Sequence, residues 1–505
     1  MVCVDGTGAR FAMWRRAMAS VLSIVLAALA LFGGAAAIPA HAAAGDDAIA
    51  ATTKAYVEEF YPLWFTYYQS QYATRNRLVG PVRVSPLYQI VVAINVDTIY
   101  ASTFVDVTDE PLVLSVPVTA GAYSVLNLDL YGNIFDSGIP SQSADESLPA
   151  ATYALTSPTY AGGLPAGVIP IRMPFDVTTL IFRADRHTPE GQDQTAQADE
   201  FRSSLRMQTL CEYQHLPCPD DPSRVPGDRT LVVPEILCAV PFKTAADALV
   251  KFDPIEFLKQ LQFAVGSSQT PPMTLEQQAL SNEFDALFGD GDPDERSRVS
   301  FVAGAHAAHK AILDSYLNHL GPTNWIHFTN IGDWGDHVVE RAAITEFLQY
   351  GNGIATAAYY HAFRDRDGVS LDGSGGAGYV LHFAADEIPT AERFWSITAY
   401  TPQSVELVRN SAEKYVVARY TPGLHYENDG SLNVYLGVKP PADAPEANWL
   451  PVPDGPFNIM LRVYGVEAGS SVADDTYVPP GIELVRGRSV RVPSSSRTRL
   501  PFERR

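Results

Sequence analysis

Apolar residues alternate with other residues in two runs toward the end of the chain: Leu432, Val434, Leu436 and Val438, then Phe457, Ile459, Leu461 and Val463. Successive side chains of a strand point to opposite faces of a sheet, so this period of two predicts strands with one buried face. Asp-Gly steps at 372, 429 and 454 supply the reversals between them. Strand patterns recur upstream, where Val91 and Val92 precede "INVDTIYAST", followed by "PLVLSVPV", "AYSVLNLDLYGNIF" and "VTTLIFRAD", with clusters of Pro, Gly and Asp between.

Two stretches have helical spacing instead. From Ala48 to Tyr72, Tyr56, Phe60, Leu63, Trp64 and Tyr67 share a helix face, with Pro62 expected to kink or divide the helix. This aromatic stripe is read as packing rather than a ligand cage. Between Lys243 and Arg364, "DPIEFLKQLQFAV", "TLEQQALSNEFDALF", "SFVAGAHAAHKAILDSYLNHL" and "VVERAAITEFLQYGN" are helical in pattern. The expected organisation is a leader over 1–42, an N-terminal helix over 43–80 and a β domain over 81–242. A helical segment over 243–364, a β-sandwich over 365–480 and a basic tail over 481–505 complete it. Beyond Pro480 the chain holds seven arginines and two glutamates without periodicity, so that tail is expected to be disordered. No repeat period supports a propeller or solenoid. The fold class is thus multidomain and mainly β, with a helical middle.

At 505 residues and 46% hydrophobic composition, the chain is long enough for two or three domains with ordinary cores. The 36 basic and 57 acidic residues give a formal charge of −21, which repels a phosphate backbone and argues against nucleic acid as a partner. Arg15 and Arg16 precede an apolar run from Val21 to Phe32, and Ala40-His41-Ala42 offers cleavage after Ala42. Met13 or Met18 is an alternative start, and the Arg pair lacks the flanking residues of a twin-arginine signal. No later stretch has the roughly 20 apolar residues of a membrane span, so a secreted or periplasmic mature chain is expected. It retains Cys211, Cys218 and Cys238. Either Cys211 and Cys218 close the loop "CEYQHLPC" with a disulfide, or all three are buried thiols.

The motifs also carry a resemblance. Phe394 to Tyr400 ("FWSITAY"), Asn428 to Ser431, "NWLP" at Asn448 to Pro451 and "LRVY" at Leu461 to Tyr464 resemble the pattern of domain-of-unknown-function family 1214. Asn95, Asp97, Thr98, Ile99 and Tyr100, with the strand from Val116 to Asn133 and the "AYVEEFYP" helix, resemble domain-of-unknown-function family 1254. "INVDT" stands where an asparagine-rich "NNDT" is common. The resemblance implies an N-terminal β-barrel-like domain, a helical part and a C-terminal jelly-roll-like sandwich. It implies no chemistry.

Candidate chemistry comes from polar residues in apolar strands. In Tyr123 to Tyr131, Leu126, Leu128 and Leu130 fall on one face and Tyr123, Val125, Asn127, Asp129 and Tyr131 on the other. If that second face lines a barrel mouth, Asp97 or Asp129 is the candidate general base or metal ligand, with Asn95, Tyr100, Asn127 and Tyr131 orienting a substrate. The alternatives are that Asp97 holds a turn and that the polar face meets water. Arg462 and Tyr464 oppose the Leu461 and Val463 face, and Thr398 and Tyr400 oppose Ile397. An arginine there needs a carboxylate, such as Asp97 or Asp129, or an anionic ligand. Trp449 is a stacking platform for a ring or a plug on the sandwich end.

Asp290, Asp292 and Asp294 begin like a calcium loop, but Glu295 and Phe301 stand where the turn glycine and bidentate acid belong. A solvated acidic loop is favoured. No cofactor is expected, and a loose calcium contact there is the one ion left open. His306 with His309, and Asp333 and Asp336 with His337, have helical spacing but no further ligand spaced with them in sequence, so polar packing is favoured. The chain lacks a G-x-S-x-G elbow, a P-loop and a G-x-G-x-x-G after a strand. The functional expectation is an extracytoplasmic hydrolase acting on a carbohydrate or other small polar molecule where the two β domains meet. The competing class is a lectin-like or structural module, and homo-oligomerisation is left open.

Overall fold

The computed structural model describes residues 40–72, 75–81, 83–88, 91–218, 242–402, 406–442 and 444–485. Most of the expected leader, Cys238 and the chain beyond 485 lie outside the described residues. Helix α1 (Ala40–Tyr72) runs through Pro62 without division. Its aromatic stripe accounts for this: Tyr56, Phe60, Leu63, Trp64 and Tyr67 are all fully buried, outweighing the roughly 3 kcal/mol that an internal proline costs. Tyr56 stacks on Phe284 at 3.9 Å, and Trp64 Nε1 donates to Gln260 Oε1 at 3.0 Å.

Seven strands follow in two sheets. β1 (Thr98–Asp106), β3 (Tyr123–Leu128) and β6 (Val177–Asp185) form one antiparallel sheet in the order β1-β6-β3. β2 (Leu112–Val116), β4 (Ala151–Thr156), β5 (Ile169–Arg172) and β7 (Arg206–Thr209) form the other, in the order β5-β4-β2-β7. The two sheets and α2 (Thr195–Ser204) share a core that includes Ile99, Leu114, Leu155, Phe182 and Phe201. They remain separate, and no closed barrel is found among the described residues. Beyond β7, a single turn α3 (Leu210–Tyr213) leads into a disulfide joining Cys211 to Cys218.

The middle segment is helical, with α4 (Phe242–Phe252), α5 (Pro254–Val265), α6 (Leu275–Phe288), α7 (Glu295–Leu317) and α8 (Val338–Leu348). Local sequence sets the starts. Asp253 caps α5 ahead of Pro254, Thr274 and Gln277 make a capping box at α6, and Asp294 caps α7. Asp294 thus serves as a helix cap, and Asp292 pairs with Lys259 at 2.7 Å. Helix α1 packs against α5, α6, α7 and α8.

The C-terminal region is a two-layer sandwich. One sheet has the order β12-β11-β15-β9-β8, from β8 (Trp325–Ile326), β9 (Ala357–Ala362), β11 (Phe394–Tyr400), β12 (Val416–Ala418) and β15 (Asn458–Tyr464). The other has β10 (Gly378–Phe383), β13 (Leu432–Gly437), β14 (Trp449–Pro451) and β16 (Glu483–Val485), in the order β14-β13-β10-β16, with β13 and β14 parallel. Tyr360, Ile397, Leu461, Leu381 and Val434 meet in the core between the layers. β8 and β9 fall inside the stretch expected to be helical. Every residue of β9, "AAYYHA", is buried, so it shows no alternation to mark it as a strand. β16 falls in the expected tail, where pairing with β10 orders three residues that carry no pattern of their own.

The outer face of the five-stranded sheet positions the site. In register across β11, β15 and β9, Ser396 lies beside Arg462 and Arg462 beside Tyr359, all on the face away from the sandwich core. Phe394, Tyr400, Met460 and Tyr464 share this face and belong to the same apolar cluster as the helices and Ile94. The N-terminal domain and helices therefore cover a face that alternation alone would assign to solvent.

Candidate functional site: a buried polar junction between the β domains

The chain leading into β1 crosses this face. Asn95 organises it: its Oδ1 accepts from the backbone N–H groups of Asp97 and Thr98, both at 3.2 Å, and from Thr98 Oγ1 at 3.1 Å. Its Nδ2 reaches across to donate to Tyr464 Oη at 2.6 Å. Asn95, not Asp97, holds the turn, which frees the Asp97 carboxylate to enter the C-terminal domain. There it accepts from Ser396 Oγ at 2.9 Å and from the Tyr420 hydroxyl. Arg462 donates from Nη2 to Ala93 O at 2.5 Å and lies 5.5 Å from the Tyr400 ring centroid. Tyr400 donates to Ile94 O at 2.8 Å.

A second arm of the network starts at the end of β6. Asp185 pairs with Arg393 through both carboxylate oxygens, with Arg393 Nε at 2.6 Å from Oδ2. Arg183 donates from Nη1 to Asn352 Oδ1 at 2.7 Å and from Nη2 to Tyr350 O at 2.6 Å, its guanidinium 5.4 Å from the Tyr100 ring. Tyr464 ties the arms together, because Arg183, Arg393 and Arg462 all act on it electrostatically. On the rim, the half-buried His187 ring stacks on Tyr420 at 3.9 Å.

Burial dominates the electrostatics. It pushes the Asp97 carboxyl above the usual carboxylate range, while Arg462, the hydroxyls of Tyr420 and Ser396, and His187 pull it back. Burial likewise raises Asp185 against the opposing pull of Arg393. The Arg462 guanidinium is held charged, since nearby tyrosines and Asp97 outweigh desolvation. Below Arg462 lies His361. Its Nε2 is 2.7 Å from Asn458 Oδ1, so it donates there, and its Nδ1 accepts from Tyr316 Oη at 2.8 Å. Burial lowers the pKa of this imidazole to about 3, so it is neutral.

The junction contains three buried guanidiniums, Arg183, Arg393 and Arg462, against two buried carboxylates, Asp97 and Asp185. Three buried donor atoms in it, Arg183 Nε, Asn352 Nδ2 and Arg462 Nη1, have no hydrogen-bond acceptor among the described residues. Thr398 Oγ1, on the same sheet face, is also without a partner among the described residues. Buried positive charge thus exceeds buried negative charge here, and buried donors of this kind are ordinarily matched by water or by an ion.

Of the residues singled out from the sequence, Asn95, Asp97, Tyr100, Tyr400, Arg462 and Tyr464 meet here. The others lie elsewhere. β3 ends at Leu128, and Asp129 lies in the following turn, accepting from Asn133 N at 2.9 Å and Asn133 Nδ2 at 2.7 Å. Tyr131 is buried against Phe60, with the Arg341 guanidinium 5.1 Å from its ring, and Asn127 donates to Ser137 Oγ at 2.8 Å. The second face of Tyr123–Leu128 meets neither solvent nor a barrel mouth, since Tyr123 and Val125 pack on the N-terminal core. Trp449 is buried, its Nε1 donating to Gly437 O at 2.8 Å. Arg183, Asp185, Arg393, Ser396 and Tyr420 escaped the sequence reading. "LIFRAD" did hold the signal, a guanidinium and a carboxylate ending an apolar strand, which is the argument applied to Arg462.

Comparison with known proteins gives two family matches and a likeness of fold. No curated protein matches. The crystal structure of the VPA0106 protein from Vibrio parahaemolyticus superposes with a TM-score of 0.53 at 20% identity, covering 87% of this chain and 100% of that one. An uncharacterised protein from Burkholderia cenocepacia gives a TM-score of 0.40 at 14% identity, covering 89% and 90%. The first likeness is one of fold alone. Residues 76–209 match the family described as "Protein of unknown function (DUF1254)", and residues 356–468 match "Protein of unknown function (DUF1214)". The chain thus matches the paired DUF1254 and DUF1214 families over two of its regions, in that order.

Proposed function

We propose that the junction between the two β domains recognises an anionic group on a small polar organic molecule, such as an acidic sugar. The observation that carries this reading is the set of unmatched buried donors, Arg183 Nε, Asn352 Nδ2 and Arg462 Nη1, in a network with three guanidiniums and two carboxylates. Half-buried Tyr100, which acts on both Arg183 and Arg462, is the approach to it. The leader-like sequence over 1–42 supports a site of action outside the cytoplasm. A hydrolytic step at the same place is the second reading, favoured by Asp97: a desolvated carboxyl with a raised pKa, touching Ser396 Oγ at 2.9 Å, has the properties of an acid or base group.

The test is a mass-spectrometric screen of the purified chain against pooled acidic sugars, sugar phosphates, carboxylic acids, neutral glycans and esters. Retention of anionic compounds is expected. It should weaken at least tenfold in Arg462→Met and in Tyr100→Phe, the latter keeping the junction packed. No retained compound, or retention of neutral glycans that both variants leave unchanged, overturns the binding reading. Turnover of a retained ester or glycoside that Asp97→Asn abolishes supports the hydrolytic one; turnover unchanged in Asp97→Asn refutes it.

A further inference from the structure

A second cluster of ionisable groups lies in the helical segment, apart from the junction. His309 on α7 was paired in the sequence only with His306. The structure separates them: His306 is exposed and His309 turns inward. There His309 meets Asp247 from α4 and Glu346 from α8, and one donor atom from each lies within 4.8 Å of the other two. His309 Nε2 is 3.3 Å from Asp247 Oδ1, yet this buried nitrogen makes no hydrogen bond among the described residues. Glu346 is fully buried, in a stretch of α8 whose residues from Arg341 to Leu348 are all buried. Tyr61 of α1, also fully buried, donates to Glu346 Oε2 at 2.5 Å and fixes that carboxylate.

We infer that Asp247, His309 and Glu346 form a binding site for a divalent first-row transition ion of the zinc or manganese type. One imidazole nitrogen and two carboxylates are the donor set such ions accept, with no thiolate among them to select copper(I). Ligand atoms sharing such an ion sit about 3 to 3.5 Å apart, so the His309 and Asp247 pair is already at that spacing. Small side-chain rotations complete the contraction. Tyr61 acts as the outer hydrogen bond that orients a metal-bound carboxylate. Asp247 is the most open of the three, its side chain 32% exposed against 13% for His309, so the ion enters past it and takes a water or a substrate oxygen as its remaining ligand. The ion would join α4, α7 and α8, three helices whose cluster residues are separated by 62 and 37 positions in the chain.

Chelator-treated full-length chain is titrated with ZnCl2 and with MnCl2 by calorimetry, and with CoCl2 by visible absorption. One equivalent of Zn2+ or Mn2+ is expected to bind and raise Tm, and Co2+ to give the d–d bands of a protein-bound ion. His309→Ala and Asp247→Asn, both at partly exposed positions, should weaken binding at least tenfold while far-ultraviolet circular dichroism stays unchanged. Glu346→Gln should do the same and keep its bond from Tyr61. Absence of heat, Tm shift and Co2+ bands in the native chain overturns the inference. So does uptake that His309→Ala and Asp247→Asn leave intact, which would place the ion on another surface. The junction variants Arg462→Met and Tyr100→Phe should not alter metal uptake, so this site and the anion site stand or fall separately.

Discussion

Acid should destabilise this protein through His361, and the structure sets the size of the effect. The imidazole is neutral, donating to Asn458 and accepting from Tyr316, with a pKa lowered from an ordinary 6.5 to about 3, first by burial and then by Arg462. A depressed folded-state pKa contributes stability that is complete above the unfolded value and is lost as pH falls toward the folded one. At pH 4.5 the unfolded chain has gained a proton that the folded chain refuses, about two pH units below its own pKa. At about 1.4 kcal/mol per unit, this removes about 3 kcal/mol relative to pH 7.5. Asp97, Asp185 and Asp129, whose folded-state pKa values are raised, act in the opposite sense: their contribution is present at low pH and lost as pH rises. The two effects separate by comparing the native chain with His361→Gln, which cannot titrate and retains a donor and an acceptor. Urea unfolding of both at pH 7.5 and 4.5 should show the variant less stable at pH 7.5 but with about 3 kcal/mol less acid sensitivity. Equal acid sensitivity in the two chains would refute the assignment of a neutral, buried His361.

Two further outcomes follow from the packing. Arg393→Ala strands the buried Asp185 carboxylate and should cost about 3 to 5 kcal/mol, whereas Arg393→Met with Asp185→Leu should cost less than Arg393→Ala alone; a double variant less stable than the single one contradicts this, by thermal unfolding. Reduction of Cys211–Cys218, seven residues apart, should cost only about 2 kcal/mol and expose the loop to proteolysis, whereas a loss of the whole N-terminal domain's structure by circular dichroism would show the bond does more than close a short loop.

What the sequence made legible was local, and what it hid was distant in the chain. Alternation along β15 places Arg462 opposite the core face, and the charge rule requires a partner for it; both are properties of a few adjacent residues. The identity of the covering surface is not. Asp185 and Arg393 are 208 residues apart, and no periodicity links them. Likewise His309 shows one candidate face of α7, while Asp247 and Glu346 arrive from helices that only packing brings together. Asp129 shows the opposite error. Its placement on a strand face came from extending a period of two past Leu128, where the backbone has already turned and the carboxylate serves Asn133. β9 was hidden because a strand buried on both faces has no alternation, and its short apolar run next to a helix reads as more helix.

The chemistry of the junction is itself an argument that it is more than cement. The N-terminal domain and the sandwich each bury an apolar core of their own, and a third cluster, with Ile94 from one and Phe394, Met460 and Tyr464 from the other, already joins them. Two such domains dock at least cost through apolar or water-exposed polar contacts, because desolvating an ion is expensive and pairing returns little more than it loses. Beside its apolar contacts this interface buries five charged side chains, and its guanidiniums cannot shed charge to suit the site as a carboxyl can. Asp185 answers Arg393 directly. Asp97 answers Arg462 only from a distance, its own oxygens taken by Ser396 and Tyr420, and Arg183 meets only neutral acceptors at hydrogen-bond range. Stability alone would favour apolar residues at Arg183 and Arg462. A ligand anion that engages their unmatched nitrogens offsets the desolvation at the moment of binding, and that coupling would make the docking of the two β domains tighten when the ligand is present.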